Sequence, residues 1–219
     1  TIAASGSRQK ASPARPAVLS GNWSRRPRHE FCCNPMVVVN APPMSKAFPL
    51  ILGAGPIPEL AMRQACEAIA ESCGCGLSSY ACGESPHEVL ASTESASDLL
   101  RLCGDAARFH RDGGSWLEAL ADWRQPVLLL VPGEADGGIP GVGPAYAALC
   151  RELKVPLVGL AQLQGAWDAS ARRKDGLPWR GWIPAAEHGD HNDAVEALSL
   201  WLRRSILSPA ATGARSDQA

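Results

Sequence analysis

The sequence predicts an α/β fold built on an open, mainly parallel sheet with helices on both faces. Two observations carry this prediction. Short segments that are apolar at every position, such as residues 127–131, are typical of strands covered on both faces. Residues 155–161 form a second such segment after a helical stretch, and the spacing is that of a right-handed βαβ unit whose two strands run parallel.

The beginning of the folded part predicts a strand, a turn and a helix. Residues 48–52 are an apolar run that ends in Gly53 and Gly55, which indicates a buried strand followed by a tight turn. Apolar residues with helical spacing then continue as far as Gly74, where the helix should stop. Residues 77–81 predict a second strand.

A second helix is predicted to begin at Pro86. Ser85 is a residue type that caps helices, proline is favoured at the first helical position, and Glu88 stands at the third position. Apolar residues recur as far as Leu102 with helical spacing. We therefore expect this helix to extend that far, with a break on the way.

The remaining elements follow from the same two patterns. The uninterrupted apolar run at 127–131 indicates the central strand of the sheet. A short helix over 145–153 follows it after a glycine-rich loop, residues 179–183 predict a further strand, and residues 193–207 predict a closing amphipathic helix. The sum is a three-layer domain.

These elements place a single domain at residues 44–207. Residues 1–43 mix Ser, Ala, Pro and Arg without a hydrophobic period, so we expect a disordered leader there and a disordered tail at 208–219. The leader has the composition of an organelle transit peptide. A reading frame that starts too far upstream would look the same, and Met44 followed at once by an apolar strand would be a natural start.

Composition narrows the classes of function. Residues 1–35 hold six Lys or Arg against Glu30 alone, and the rest of the chain holds 15 against 21, so the folded part lacks the basic surface of a nucleic-acid-binding protein. No run of about eighteen apolar residues occurs, which argues against a membrane-spanning helix. The eight cysteines fall mostly inside helical or strand-like patterns, which favours reduced thiols in the cytoplasm over a disulfide framework.

Three segments of the second half carry a resemblance to a known family. Residues 116–131 end in the central strand, residues 155–160 read Val-Pro-Leu-Val-Gly-Leu, and residues 176–184 read Gly-Leu-Pro-Trp-Arg-Gly-Trp-Ile-Pro. Together they resemble the second half of a dethiobiotin synthetase. That family has a P-loop NTPase-like, broadly Rossmann-like, three-layer fold, uses ATP and Mg²⁺, and closes the ureido ring of a biotin precursor with carbon dioxide.

The resemblance implies where a ligand site would lie. Pro86 and His87 resemble the Pro-His that opens a helix beside the family's substrate site, and Asp112 stands where an acidic residue and glycines precede the Mg²⁺ region. His87 and Asp112 are therefore the candidate catalytic residues. The candidate ligand-binding residues are these two, the glycines of the first turn, and three further positions: Gly53, Gly55, His87, Asp112, Gly113, Gln164 and Pro184.

The first strand–helix turn departs from the family. Phosphate capture needs free backbone N–H groups, a Lys for the phosphates and a Ser or Thr for the metal. Residues 53–59 read Gly-Ala-Gly-Pro-Ile-Pro-Glu instead. Pro56 and Pro58 each remove a donor, and Glu59 brings a negative charge to the place of the phosphate. Charge on a transferring phosphoryl group would go largely unneutralised, a loss of several kcal/mol.

The cysteines raise the question of a metal site. Cys66, Cys73, Cys75 and Cys82 are close in sequence, but only Cys73 and Cys75 are closely spaced, whereas zinc sites pair cysteines in each half. Small apolar core positions are therefore favoured for the cysteines that fall in helices. We expect no metal here.

Two histidines allow a hydrolase interpretation. His188 and His191 follow Asp136 in the chain order of an α/β-hydrolase. Such an enzyme also needs a nucleophile on a Gly-x-Ser-x-Gly elbow, which the sequence lacks. Both histidines are therefore more simply explained as residues of the loop before the last helix.

We predict from the sequence a dethiobiotin synthetase-like pseudoenzyme that has lost ATP-dependent catalysis and acts as a small-ligand-binding or regulatory protein. The first alternative is an active dethiobiotin synthetase of biotin biosynthesis, which would require ATP and Mg²⁺. The second is an α/β-hydrolase-like enzyme. The expected partners are a small-molecule ligand and, in a homodimer, a second copy of the chain, with no nucleic acid and no membrane. The expected location is cytoplasmic.

Overall fold

The computed structural model of the protein describes residues 48–111 and 113–207. The predictions made for the leader 1–43, for Met44, for Asp112 and for the tail 208–219 lie outside these residues.

Six strands and six helices alternate along the described residues. In chain order they are β1 Leu50–Gly53, α1 Glu59–Cys73, β2 Leu77–Ala81, α2 Pro86–Thr93, β3 Leu99–Cys103, α3 Trp116–Asp122, β4 Val127–Pro132, α4 Val142–Glu152, β5 Leu157–Leu163, α5 Ala169–Lys174, β6 Trp179–Ile183 and α6 His191–Leu207.

The strands form one open sheet in the order β2-β3-β1-β4-β5-β6, and each neighbouring pair is parallel. The predicted parallel sheet is confirmed, as is the parallel unit of β4, α4 and β5. The chain passes from one side of β1 to the other between β3 and β4. Open α/β sheets bind ligands at the carboxyl ends of strands beside such a switch point.

Two apolar clusters show which helices cover each face of the sheet. On one face lie Ile69 of α1 and Leu198 of α6. On the other lie Leu90 of α2, Leu120 of α3 and Cys150 of α4. Alternate residues of β4 belong to the two clusters, so this strand is covered on both faces, as its unbroken apolar run predicts. The three-layer arrangement is therefore confirmed.

The second helix is shorter than predicted. It ends at Thr93, and residues 99–102, which we expected to be helical, lie in the strand β3. Leu99 packs in one apolar cluster and Leu100 in the other, so a strand buries both sides of this segment. Ser85 does stand at the N-cap, but its side chain makes no capping hydrogen bond.

Two short helices have no counterpart among the predicted elements. Ser115 caps α3 by accepting a hydrogen bond from the N–H of Glu118. Asp168 caps α5 by accepting from the N–H groups of Ser170 and Ala171, and these bonds, that of Ala171 first, lower the pKa of its carboxyl. In both cases the capping residue is the sequence signal for the helix start.

No helix within residues 48–111 and 113–207 combines the length and the apolar character that crossing a membrane requires. In the same part of the chain, six cysteines are free thiols, and no group of three or more His, Cys, Asp or Glu side chains is arranged to hold a metal ion.

Candidate functional site

The turn between β1 and α1 is closed by apolar side chains. Gly53 and Gly55 are both buried. Ile57 folds back on Gly53, where an added Cβ would lie 2.8 Å from Ile57 Cδ1, and Val142 of α4 covers Gly55, where an added Cβ would lie 3.0 Å from Val142 Cγ2. The φ of Gly55 is +74°, a backbone conformation that residues with a Cβ atom rarely adopt. Both candidate glycines therefore serve close packing in this structure.

A tyrosine of α4 is hydrogen-bonded to the segment that follows β3. The hydroxyl of Tyr146 donates to a carboxylate oxygen of Asp105, which follows β3, and accepts from the N–H of Ala107 at 3.3 Å. Burial, and next the hydrogen bond with Asp105, raise the pKa of Tyr146 well above its usual range, while the N–H groups of Ala107 and Gly55 oppose the rise. Tyr146 therefore links α4 to the segment that follows β3.

Glu59, the first residue of α1, is bound by a buried arginine. Arg101 Nη2 donates to Glu59 Oε1 at 2.6 Å, and Arg101 Nε donates to Ser79 Oγ at 2.8 Å. The side chain of Arg101 is 5% exposed and that of Glu59 is 58% exposed. Burial alone would lower the pKa of Arg101, but the hydrogen bond to Glu59 and the nearby negative charges outweigh it and the pKa is raised. The guanidinium therefore stays charged and holds the carboxylate at the turn.

Cys66 of α1 lies close to this pair and gives a pH prediction. Burial raises the pKa of its thiol from 9.0 to about 12. Above pH 9 the unfolded chain loses this proton while the native chain keeps it, so stability should fall between pH 9 and pH 12, by about 1.4 kcal/mol per pH unit for one such group. We expect Cys66→Ala to show a shallower decline in unfolding free energy between pH 9 and pH 11, measured by urea denaturation. An identical slope in both proteins would contradict the prediction.

The loops after β4 and β5 are joined to each other. The N–H of Ala166 donates to Glu134 O at 3.0 Å. The side chain of Gln162 is fully buried, and its Nε2 donates to Gln164 O at 2.9 Å and to Ala166 O at 3.0 Å. The glycine-rich loop that begins after β4 is therefore braced by its neighbour along its first residues.

His87 and Gly113 lie in separate surroundings. Exposed His87, near the start of α2, accepts a hydrogen bond at Nδ1 from Trp123 Nε1, at 2.9 Å. Gly113 is exposed and adopts a φ of +94°, and its N–H donates to His110 O in a turn. A neutral His87 consequently carries its proton on Nε2. The contacts of these two residues join neither of them to the turn after β1.

Gln164 and Pro184 line one groove. It has a volume of about 240 Å³ and lies between α1 and the carboxyl ends of β5 and β6. Helix α1 contributes Gln64 and Glu71, and the first residue of α6, His191, completes the wall. Among the candidate ligand-binding residues, these two are the pair that the fold brings together in a cavity.

The histidines considered for a hydrolase have other partners. His191 Nδ1 bonds to Pro184 O at 2.9 Å, and His188 Nδ1 accepts from the N–H of Asp190 at 3.1 Å. Asp136 accepts from a backbone N–H within its own loop, at 2.8 Å. No hydrogen bond among the described residues joins Asp136 to either histidine, so the geometry offers no charge relay.

Three tryptophans pack together beside β6. The rings of Trp167 and Trp182 are stacked with centroids 6.4 Å apart, and Trp179 meets Trp167 edge-on at 6.2 Å. The guanidinium of Arg172 lies 5.2 Å from the centre of the Trp179 ring. These distances are those of ordinary aromatic and cation–π packing, which accounts for the rings without a ligand.

The sequence did not reveal three polar residues near the turn. Tyr146, Asp105 and Arg101 were not candidates, although all three contribute to the carboxyl edge near β1. Arg101 carried a signal, since a charged residue inside an otherwise apolar strand requires a partner when it is buried. Tyr146 and Asp105 gave none, because they meet only through the fold.

A scan against protein-family models finds no match to this chain, and a comparison with curated proteins finds none.

Proposed function

We propose that this protein binds a small ligand and does not use ATP at its first strand–helix turn. The idea of a dethiobiotin synthetase-like ancestry comes from the sequence resemblance. The proposed loss of nucleotide chemistry comes from one observation, the closed turn in which Ile57 covers Gly53 and Val142 covers Gly55.

The amides of the turn support this proposal. Ala54 N donates to Leu130 O of β4 in the sheet at 2.8 Å, and Pro56 and Pro58 have no N–H. A phosphate cradle depends on several amides that point at one anion. Most of the donors in this turn are engaged or missing.

The charges of the turn support it as well. The group nearest to the place of a phosphate-binding lysine is the carboxylate of Glu59, and the cation that contacts it, Arg101, is buried and engaged. Between Lys46 and Lys154 the chain has no lysine. A triphosphate entering this edge would meet a carboxylate and no free ammonium.

A calorimetric titration of the full chain with ATP and Mg²⁺ tests the proposal. We expect no saturable heat up to about 1 mM nucleotide, because the turn lacks a lysine and most of its amide donors. Any binding would then have a free energy of about 4 kcal/mol or less. A micromolar Kd for ATP would overturn the proposal and support an active nucleotide-dependent enzyme.

A further inference from the structure

We propose that the groove between α1 and the carboxyl ends of β5 and β6 is the ligand site, and that its ligand is a small organic cation, an ammonium group on a short aliphatic chain. This inference rests on the proposed function, since it names the class of ligand for a protein that binds a small molecule without nucleotide. The groove measures about 240 Å³, below the range of pockets for drug-sized ligands, which suits a compact molecule.

Gln164 is an exposed residue of the groove lining. Its backbone has a φ of +56°. The carbonyl accepts from Gln162 Nε2 at 2.9 Å and from Trp182 Nε1 at 3.1 Å, and the N–H donates to Ile183 O at 2.8 Å. The fold thus satisfies the backbone groups, while the exposed side-chain amide makes no hydrogen bond within the described residues and is open to a ligand.

His191 adds a hydrogen-bond acceptor, and its contacts show which ring nitrogen accepts. Its Nδ1 bonds to the carbonyl oxygen of Pro184, so Nδ1 must carry the proton. Nε2 of the neutral ring then carries a free lone pair and can accept a hydrogen bond. The fold thereby sets the tautomer of a side chain that lines the groove.

The charges of the groove are one-sided. Glu67 and Glu71 of α1 line it, and no Lys or Arg does. Arg63 Nε lies 3.7 Å from Glu67 Oε1, so the guanidinium offsets part of the charge of this carboxylate. Within the described ranges Glu71 has no ion pair. Arg203 does not line the groove, but it lines the adjoining hollow between α1 and α6, which Glu71 and His191 line as well.

The rest of the lining is small and apolar, and includes Ala61, Ala65, Ala68 and Leu163. A carboxylate, an imidazole lone pair and amide oxygens all accept hydrogen bonds, so they are complementary to a group that only donates. An ammonium group is such a donor, and its methylene chain matches the alanine floor.

Titration calorimetry of the full chain with n-pentylammonium, and separately with neutral 1-pentanol, tests the inference. We expect a Kd on the order of 1 mM for the cation and at least tenfold weaker binding of the alcohol. Glu71→Gln should weaken cation binding about fivefold to tenfold, since it removes the charge and keeps the shape. Glu152→Gln on α4, an exposed glutamate outside the groove, is the matched control and should change nothing.

Gln164→Gly tests the contribution of the Gln164 side chain while the backbone conformation is kept. Glycine accepts the left-handed conformation, so this variant should fold with an unchanged or higher Tm and bind the cation several-fold more weakly. Equal affinity for cation and alcohol, or unchanged affinity in both groove variants, would overturn the inference. Failure of the proposed function would be distinct, because it would show as micromolar ATP binding whatever the result with pentylammonium.

Discussion

Gly165→Ala should destabilise the protein by about 3–5 kcal/mol, since it combines a steric clash with a strained backbone. Gly165 has a φ of +65°, and an added Cβ would lie 2.6 Å from Gly133 O and 2.7 Å from Glu134 O. Both neighbours are backbone atoms of the loop after β4, so no side-chain rotation relieves the contact. One of the two loops must move.

Gly176→Ala is the matched control for this substitution. Gly176 has a similar φ of +72°, but nothing lies within 4 Å of an added Cβ. It should cost only about 1–2 kcal/mol, the penalty of the left-handed conformation. Urea denaturation of the two variants compares the costs directly. Equal losses of unfolding free energy in the two variants would contradict the prediction. They would show that the cost comes from the left-handed backbone conformation alone and not from the contact between the two loops.

Gly165→Ala should also affect the groove between α1 and the ends of β5 and β6. Gln164 precedes Gly165, and its carbonyl is held by Gln162 and Trp182. A shift of the loop would misplace the Gln164 amide, so a folded fraction of the Gly165→Ala protein should also bind pentylammonium more weakly. Stability and ligand affinity are coupled here because one loop serves both.

The architecture was predictable because most strands are uniform apolar runs. Residues 127–131 could only be a buried strand or a buried helical turn, and their shortness favours the strand. Leu99–Cys103 was assigned wrongly because its apolar spacing fits both periods. What decides between them is non-local: Arg101 meets Glu59 and Ser79 only when the segment lies flat beside β2.

The candidate site was predictable only in part, for a similar reason. The glycines and prolines of residues 53–59 indicate a turn that lacks donors, and that is a local property. The closure of this turn by Val142 is not, since Val142 belongs to α4, far along the chain. Gln164 and Pro184 were candidates, but the face of α1 that completes their groove is defined only by packing.

Glu59→Ala should cost about 2–3 kcal/mol, although Glu59 itself is largely exposed. Its loss would leave the Arg101 guanidinium buried without its carboxylate, and Arg101 Nη1 already has no hydrogen-bond partner among the described residues. Breaking a fully buried pair from one side costs 3–5 kcal/mol. We expect less here because solvent reaches Glu59. Glu67→Ala on the same helix removes half of an exposed pair with Arg63 and should cost no more than about 0.5 kcal/mol.

Arg101→Met completes a double-mutant cycle. If the cost of Glu59→Ala comes from the stranded guanidinium, it should fall to about 0.5 kcal/mol or less in the Arg101→Met background, because the side chain that needs the carboxylate is gone. Urea denaturation of the four proteins gives the coupling energy. An equal cost in both backgrounds would mean that Arg101 does not hold Glu59. The closed turn would then lack electrostatic support, and only the packing of Ile57 and Val142 would keep a phosphate from this edge.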